Sequence, residues 1–316
     1  MSTTFDASVT GVIAPEETDG TSFPTTSPAP DGAVTPVAPL VRHRQIALWL
    51  SLGWIGIVVF FVVFAGLLPI PRYDAIIEGL KPRAAPHLGF PELLGTDTLG
   101  RSVASRLIYG ARQSLTIGVA STALAMLAGL TIGSLAGYFR GPIDAAVSVL
   151  LDAILSIPGL LLLLAIAAVG QRNIPTIVVG LAILGVPTFA RLARATTLSL
   201  VDREHVMAAK AMGARHHRII LRELLPDVVL RILSYAFFFL AAIIVVEASL
   251  SFLRLGIPPP QPSWGAMIND GRPDLQTHPY LVFIPAACIV FTVAAFTVIG
   301  DWLRRRFDAV SFGAAG

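Results

Sequence analysis

Six apolar stretches, 46–68, 114–138, 145–169, 176–200, 228–253 and 279–299, run along a chain of 316 residues. Each reaches the roughly 20 residues that carry a helix across the hydrocarbon core of a bilayer. In lipid, every backbone N–H and C=O must be satisfied within the protein, so stretches of this kind are expected to be helical. The expected fold class is all-α: a polytopic membrane protein with about six transmembrane helices. Composition agrees, with 54% hydrophobic and only 14% charged residues, where soluble domains run near a quarter charged. The formal net charge of +3 fits the excess of Arg and Lys on cytoplasmic loops of membrane proteins. No basic stripe interleaved with aromatics points to nucleic acid. Cys288 is the single cysteine and excludes an intrachain disulfide.

Breakers divide the chain. Residues 1–41 hold no Lys or Arg and carry Asp6, Glu16, Glu17, Asp19 and Asp31 among Thr, Ser, Pro and Gly. Such a segment buries too little apolar surface to offset its ordering entropy, and it lacks the basic start of a secretion signal. It reads as a disordered cytoplasmic tail. Segment 42–71 holds the first transmembrane helix and its flanks, opened by Arg42, His43 and Arg44 and closed by Pro69 and Pro71. Segment 72–113 reads as an extracytoplasmic loop. Within it Arg101, Arg106 and Arg112, beside Leu107 and Ile108, suggest an interfacial helix lying on the membrane before the second span. Segment 114–308 is the transmembrane core, with one large cytoplasmic loop at 201–226, and 309–316 is a short tail. Of the 23 Lys and Arg, 14 then fall inside and 9 outside, which places both termini in the cytoplasm. Pro158 is expected to kink the third run. Gly129, Gly133 and Gly137, four apart, predict close helix packing rather than a phosphate site.

The loop 201–226 differs from everything around it. Ala208 and Ala209 are small and let another surface approach the backbone. Gly213 permits a positive φ and a sharp turn. Pro226 restarts the chain at the head of the fifth span, where proline is tolerated. Ile219, Ile220, Leu224 and Leu225 supply an apolar face and Arg215, Arg218 and Arg222 a charged one. Two short helices around a glycine, beginning near Glu204, form a docking element.

In this segment the chain resembles the binding-protein-dependent ABC permeases. Their cytoplasmic loop runs Glu-Ala-Ala, three residues, Gly, nine residues, Ile, any residue, Leu-Pro. Ala208, Ala209, Gly213, Leu225 and Pro226 match at that spacing, while Met207 and Glu223 stand where the glutamate and isoleucine usually are. The run from Leu94 to Arg101, the run from Tyr109 to Leu115, the segment from Glu247 to Gly265 and the run from Gly300 to Arg304 resemble the C-type subunit of the dipeptide, oligopeptide and nickel permeases. Arg254 departs, since that subfamily usually has glycine there.

The resemblance implies a type I ABC importer permease fold and a plasma-membrane location in a prokaryote. It implies a second, B-type permease subunit, two ATP-binding domains or subunits docked on Glu204, Ala208, Ala209, Gly213 and Pro226, and an extracytoplasmic substrate-binding protein. It further implies import of di- or oligopeptides, with nickel or glutathione as alternative cargo. No catalytic residue, metal site or cofactor is expected in this chain. Neither of its two lysines, Lys81 and Lys210, follows a glycine, so no Gly-Lys-Ser/Thr phosphate loop exists and ATP and Mg belong to partner subunits. A stand-alone carrier would need an ion relay at mid-membrane, and the docking loop argues against it. An intramembrane enzyme would need a nucleophile or metal constellation in the spans, and none is present.

Three further residues invite a role. Asp152 and Glu247 lie in apolar runs, where a carboxylate is costly unless paired or wet. Each could line the pore or a gate, pair with a neighbouring helix, or snorkel to the interface. Trp264, in a Pro-rich outer segment, could contact the binding protein or an outer gate, or anchor at the interface. His205, His216 and His217 do not make a metal site, because adjacent residues do not share one helix face.

Overall fold

A computed structural model describes the backbone of residues 39–76, 81–86 and 94–313, and the tail expected over 1–41 lies almost wholly outside the described residues. The elements in chain order are α1 (Pro39–Phe64), α2 (Val103–Phe139), α3 (Gly141–Ser156), α4 (Gly159–Val169), α5 (Ile174–Leu200), α6 (Glu204–Ala211), α7 (His216–Arg218), a π-helical turn (Ile219–Leu224), α8 (Leu225–Phe252), α9 (Trp264–Gly271), a 3₁₀ turn (Arg272–Asp274) and α10 (Tyr280–Gly313). Among the described residues the only β pairing is two isolated bridges, Ile76 with Arg101 and Thr96 with Ser102. Among the described residues five helices are long and apolar enough to cross a membrane, and the bent pair α3–α4 makes a sixth crossing if it is one span. The all-α expectation therefore stands.

Glycine sets the centre of the bundle. α2 and α5 run in the same direction and touch along the stripe Gly129, Gly133 and Gly137, where an added Cβ would stand 2.5 Å from Phe189 Cβ, 2.2 Å from the Ala190 carbonyl oxygen and 2.9 Å from the Arg194 carbonyl oxygen. Only hydrogen side chains allow backbones so close, and this contact is the means by which membrane helices associate without a hydrophobic drive. α8 runs antiparallel to α2, with Leu240 and Ile244 against Gly118. α10 covers α8 on the far side, placing Gly300 against Phe237 and Ser234. α1 is peripheral and most of its apolar side chains face outward. It is held to α10 by the Trp54 indole N–H, which donates to the Thr292 hydroxyl at 3.0 Å.

Pro158 does more than kink the third run. α3 and α4 diverge by 82° across Ile157–Pro158. The residue before a proline is pushed to extended backbone, and Ile157 sits at φ −87°, ψ 123°. Two ion pairs hold α3 on α5, Asp144 with Arg194 and Asp152 with Arg191. α4 rests on α5 through Leu163 and Ile166 against Gly180.

Three expectations are corrected. The second span begins at Val103 rather than near 114, so no separate interfacial helix occupies 103–113. Arg106 and Arg112 lie in the first turns of α2 itself, because Arg101 and Arg106 are buried against carboxylates and need no headgroup contact. Pro226 does not restart a helix: His216–Phe252 is one continuous helix. The missing N–H of Pro226 leaves the α-helical partner of the Arg222 carbonyl absent, and the ladder shifts register just before it. Leu225 N–H bonds to the Ile220 carbonyl, five residues back, which is the signature of the π turn. The short C-terminal tail expected from 309 also begins later, since α10 continues to Gly313.

Candidate functional site

The two ends of the bundle carry different chemistry. At one end α6 is clamped onto the core. Val206 and Ala209 are buried in a cluster with Leu200, Ile219, Leu224, Val228 and Ile232. The opposite face of α6 is open: Glu204 and Ala208 are exposed, and Met207 and Met212 are 52% and 81% exposed. A stop at Gly213 fixes the angle. Its φ of +74° lets Ala214 N–H bond back to the Ala209 carbonyl at 3.1 Å, a Schellman-type closure. A Cβ on Gly213 would meet nothing within 4 Å, so the glycine is needed for its backbone angle and not for space.

This α6 segment is tied to the ends of α2 and α5. Tyr138 Oη shares a hydrogen bond with His216 Nδ1 at 2.7 Å. Lys210 Nζ stands 5.7 Å from the centre of the Tyr138 ring and donates to the Val201 carbonyl. Arg140 pairs with Asp202 at 3.0 Å. A groove of about 450 Å³ opens beside Gly213, bordered by Met212, Arg215, His217 and Glu223. Thus a small, mixed surface is presented on a rigid mount, with Glu204, Ala208 and Gly213 exposed on it, whereas Ala209, expected to let another surface approach, faces the core instead. Pro226 lies behind it, in the first turn of α8 after the π turn.

At the other end a knot of buried charge locks the loop 94–102 to α2 and α9. Asp97 accepts from the backbone N–H groups of Leu99 and Arg101 and from the Arg101 guanidinium at 2.7 Å. Arg106 reaches both Asp97 at 3.5 Å and Asp270 of α9 at 3.4 Å, with its side chain only 5% exposed. Thr96 Oγ accepts from Ala84 N–H and donates to the Lys81 carbonyl. Gly95, at φ +79°, leaves no room for a Cβ, which would stand 2.3 Å from the Ala84 carbonyl oxygen. Arg101, Arg106 and Asp270 of this knot also line a cavity of about 870 Å³ bordered by the Pro258–Gln261 loop.

The remaining expected residues are redistributed. Glu247, one turn above that cavity, is fully buried. It accepts from Ser251 Oγ at 2.7 Å, while its second oxygen, Oε2, is buried with no hydrogen-bond partner among the described residues. It is therefore an interior carboxyl bonded within α8, and its direct exposure to a pore is not seen in this conformation. Asp152 is paired with Arg191 on α5, as one of its open readings allowed. Trp264 is corrected outright. It is 1% exposed, its indole N–H donates to the Leu107 carbonyl at 3.1 Å, and its ring rests on Gly110. A side chain so buried touches no binding protein and anchors at no interface; it cements α9 to α2.

Comparison with known proteins decides the family. The family described as binding-protein-dependent transport system inner membrane component matches residues 129–309. The glutathione transport system permease protein GsiD of Pectobacterium atrosepticum is 39% identical over 236 residues, covering 75% of this chain and 76% of its own. The chain belongs to this family of ABC importer permeases. The dipeptide transport system permease protein DppC of Alkalihalophilus pseudofirmus is 33% identical, over 89% of this permease and 93% of DppC. The oligopeptide transport system permease protein OppC of Bacillus subtilis is 33% identical, over 84% and 86%. Among solved structures, a chain of the inward-facing MetNI methionine ABC transporter superposes with a TM-score of 0.53 at 19% identity, covering 64% of this permease and 96% of that chain, a likeness of fold. The family match begins at Gly129, the first glycine of the α2–α5 stripe, and takes in the whole α6 mount.

Proposed function

We propose that this permease forms half of the pore of an ATP-driven importer of di- or oligopeptides in the plasma membrane of a prokaryote, with a second permease of B type as the other half. The exposed face of α6 receives an ATP-binding subunit, and ATP and Mg reside there and not in this chain. The single observation that carries the reading is the α6 mount: a short helix whose inner face, with Val206 and Ala209, is locked into the core while its outer face offers Ala208 and exposed methionines. The end bearing α6 is then cytoplasmic, as are both termini, and the cavity bordered by Pro258–Gln261 faces the binding protein outside. Relatives named for dipeptides, oligopeptides and glutathione support a small peptide as cargo.

Mechanistically, closure of the ATP-binding subunits pushes α6. Because α6 shares its core with α5 and α8 and is tied to α2 by Tyr138 and His216, the push reaches three spans as a rigid displacement. Coupling requires only that the docked ATPase contact energy differ between the inward and outward states. The test is uptake of a labelled dipeptide into proteoliposomes holding the assembled importer and its binding protein. Uptake that requires ATP supports the reading. Uptake independent of ATP, or uptake of nickel with no peptide uptake, contradicts it.

A further inference from the structure

The outer cavity has a charge imbalance that the ion pairs do not remove. Five arginines line it, Arg83, Arg101, Arg106, Arg172 and Arg254, against two lining carboxylates. Arg83 is taken by Asp274 at 2.9 Å, and Arg101 and Arg106 by Asp97 and Asp270. Arg172, on the link between α4 and α5, has among the described residues only the Arg254 backbone carbonyl, to which it donates at 3.2 Å. Arg254 reaches Asp270, already engaged by Arg106, at no less than 3.6 Å, and its side chain is 69% exposed. Two guanidinium groups on the wall of one cavity, joined through the Arg254 carbonyl, are thus left with most of their donors uncommitted.

Backbone geometry points the same way. Arg254 is the residue after the cap of α8, where Leu255 N–H closes back to the Leu250 carbonyl at 2.9 Å. Its φ is +61°, the left-handed conformation that this position of a helix end ordinarily gives to glycine. A long cationic side chain is retained at a site where glycine would be unstrained. Strain of this kind is kept where it serves a site. The cavity, at about 870 Å³, matches the size of pockets that enclose small organic ligands. Its polar floor is Ser251, itself bonded to the buried Glu247.

We propose that Arg172 and Arg254 form a carboxylate-binding station at the outer mouth, which takes the free C-terminal carboxylate of a small peptide as it leaves the binding protein. The planar guanidinium fork suits a carboxylate better than any other cation in the chain. A concave wall, with Arg101 and Arg106 fixed behind it, favours a small ligand over a flat protein surface. The inference rests on the peptide-import reading for the identity of the cargo but not for the existence of the anion site.

Two measurements separate these. First, binding of N-acetylglycine and of its neutral amide is titrated onto the full chain in phosphatidylcholine nanodiscs. The expected result is binding of the acid, at least tenfold weaker binding of the amide, and loss of that preference in the double variant Arg172→Gln/Arg254→Gly. Glycine at 254 relieves the backbone, so the variant is expected to fold. Second, the assembled importer is assayed for uptake of a tripeptide and its C-terminal amide. Since the binding protein is the same throughout, a fall in the acid-to-amide uptake ratio in the variant comes from this chain. An unchanged ratio, or equal binding of acid and amide by the wild type, overturns the station. Absence of N-acetylglycine binding together with weaker docking of the binding protein, or loss of co-purifying anionic lipid, in the variant also overturns it. Arg-dependent binding of N-acetylglycine with no peptide uptake by the wild type keeps the station and refutes the peptide cargo.

Discussion

Replacing Gly133 by alanine adds one methyl group and is expected to be among the costliest single-carbon changes in this permease. The new Cβ would stand 2.2 Å from the Ala190 carbonyl oxygen and 2.8 Å from Ala193 Cβ, where ordinary contact starts near 3.4 Å. The first obstacle is main chain, so no rotamer change relieves it, and α2 and α5 must part by about 1 Å. The same displacement loosens the neighbouring contacts at Gly129 and Gly137. Overpacking of a tight core costs about 1–3 kcal/mol. With the obstacle in the backbone the upper end applies, about 3 kcal/mol, or roughly a hundredfold in the folding equilibrium. Gly56→Ala is the control, since a Cβ there meets nothing within 4 Å and alanine is the better helix former. Thermal unfolding of the two variants in mild detergent, followed by peptide uptake, checks this. Equal stability of Gly133→Ala and Gly56→Ala would refute the claim that the glycine stripe sets the α2–α5 distance.

Ala209→Leu pushes α6 off its buried seat and is expected to lower peptide transported per ATP hydrolysed at least tenfold; Gly213→Ala, with space for its methyl and only a left-handed backbone cost of about 1–2 kcal/mol, is expected to retain most of that ratio. A transport-to-hydrolysis ratio unaffected by Ala209→Leu would remove α6 from the coupling path. Asp97→Asn leaves Arg101 and Arg106 without their shared carboxylate, and breaking a buried pair of this type costs about 3–5 kcal/mol; the melting temperature of the purified variant should fall well below that of Asp152→Asn, whose pair is half exposed and worth about 0–1 kcal/mol. Trp264→Phe keeps the ring and loses the bond to the Leu107 carbonyl, an expected cost of about 1 kcal/mol, whereas Trp264→Ala should cost about 3–5 kcal/mol in the same melt.

Local patterns made much of this molecule legible. The apolar runs gave the spans, the four-residue glycine spacing gave the α2–α5 contact, and Pro158 marked the break, though not its 82° angle. The turn at Gly213 was readable because its logic is local, whereas Ala209 faces the core and Pro226 lies within a continuous helix, which the 19-residue pattern from Ala208 to Pro226 does not reveal. What the sequence hid depends on distant partners. Arg106 looked amphipathic and interfacial because Asp270, which holds it, lies 164 positions away. Trp264 looked exposed because Pro-rich surroundings suggest a surface loop, yet Gly110 opens a seat for its ring on another helix. Glu247 is bonded to Ser251 on its own helix, but its complete burial comes from packing against elements far away in the chain, which no local pattern reveals. The uneven count of arginines in the segments expected outside has the same origin, since Arg101 and Arg106 are neutralised on the spot by carboxylates.

The central claim is that α6 docks this permease onto a separate ATPase. Affinity purification of the tagged chain in a gentle detergent, with mass spectrometry of what accompanies it, tests that claim most directly. The account predicts recovery of a second permease and an ATP-binding subunit, and a reduced yield of the ATP-binding subunit from the Ala209→Leu preparation. Recovery of this chain alone, transporting without ATP, would contradict it.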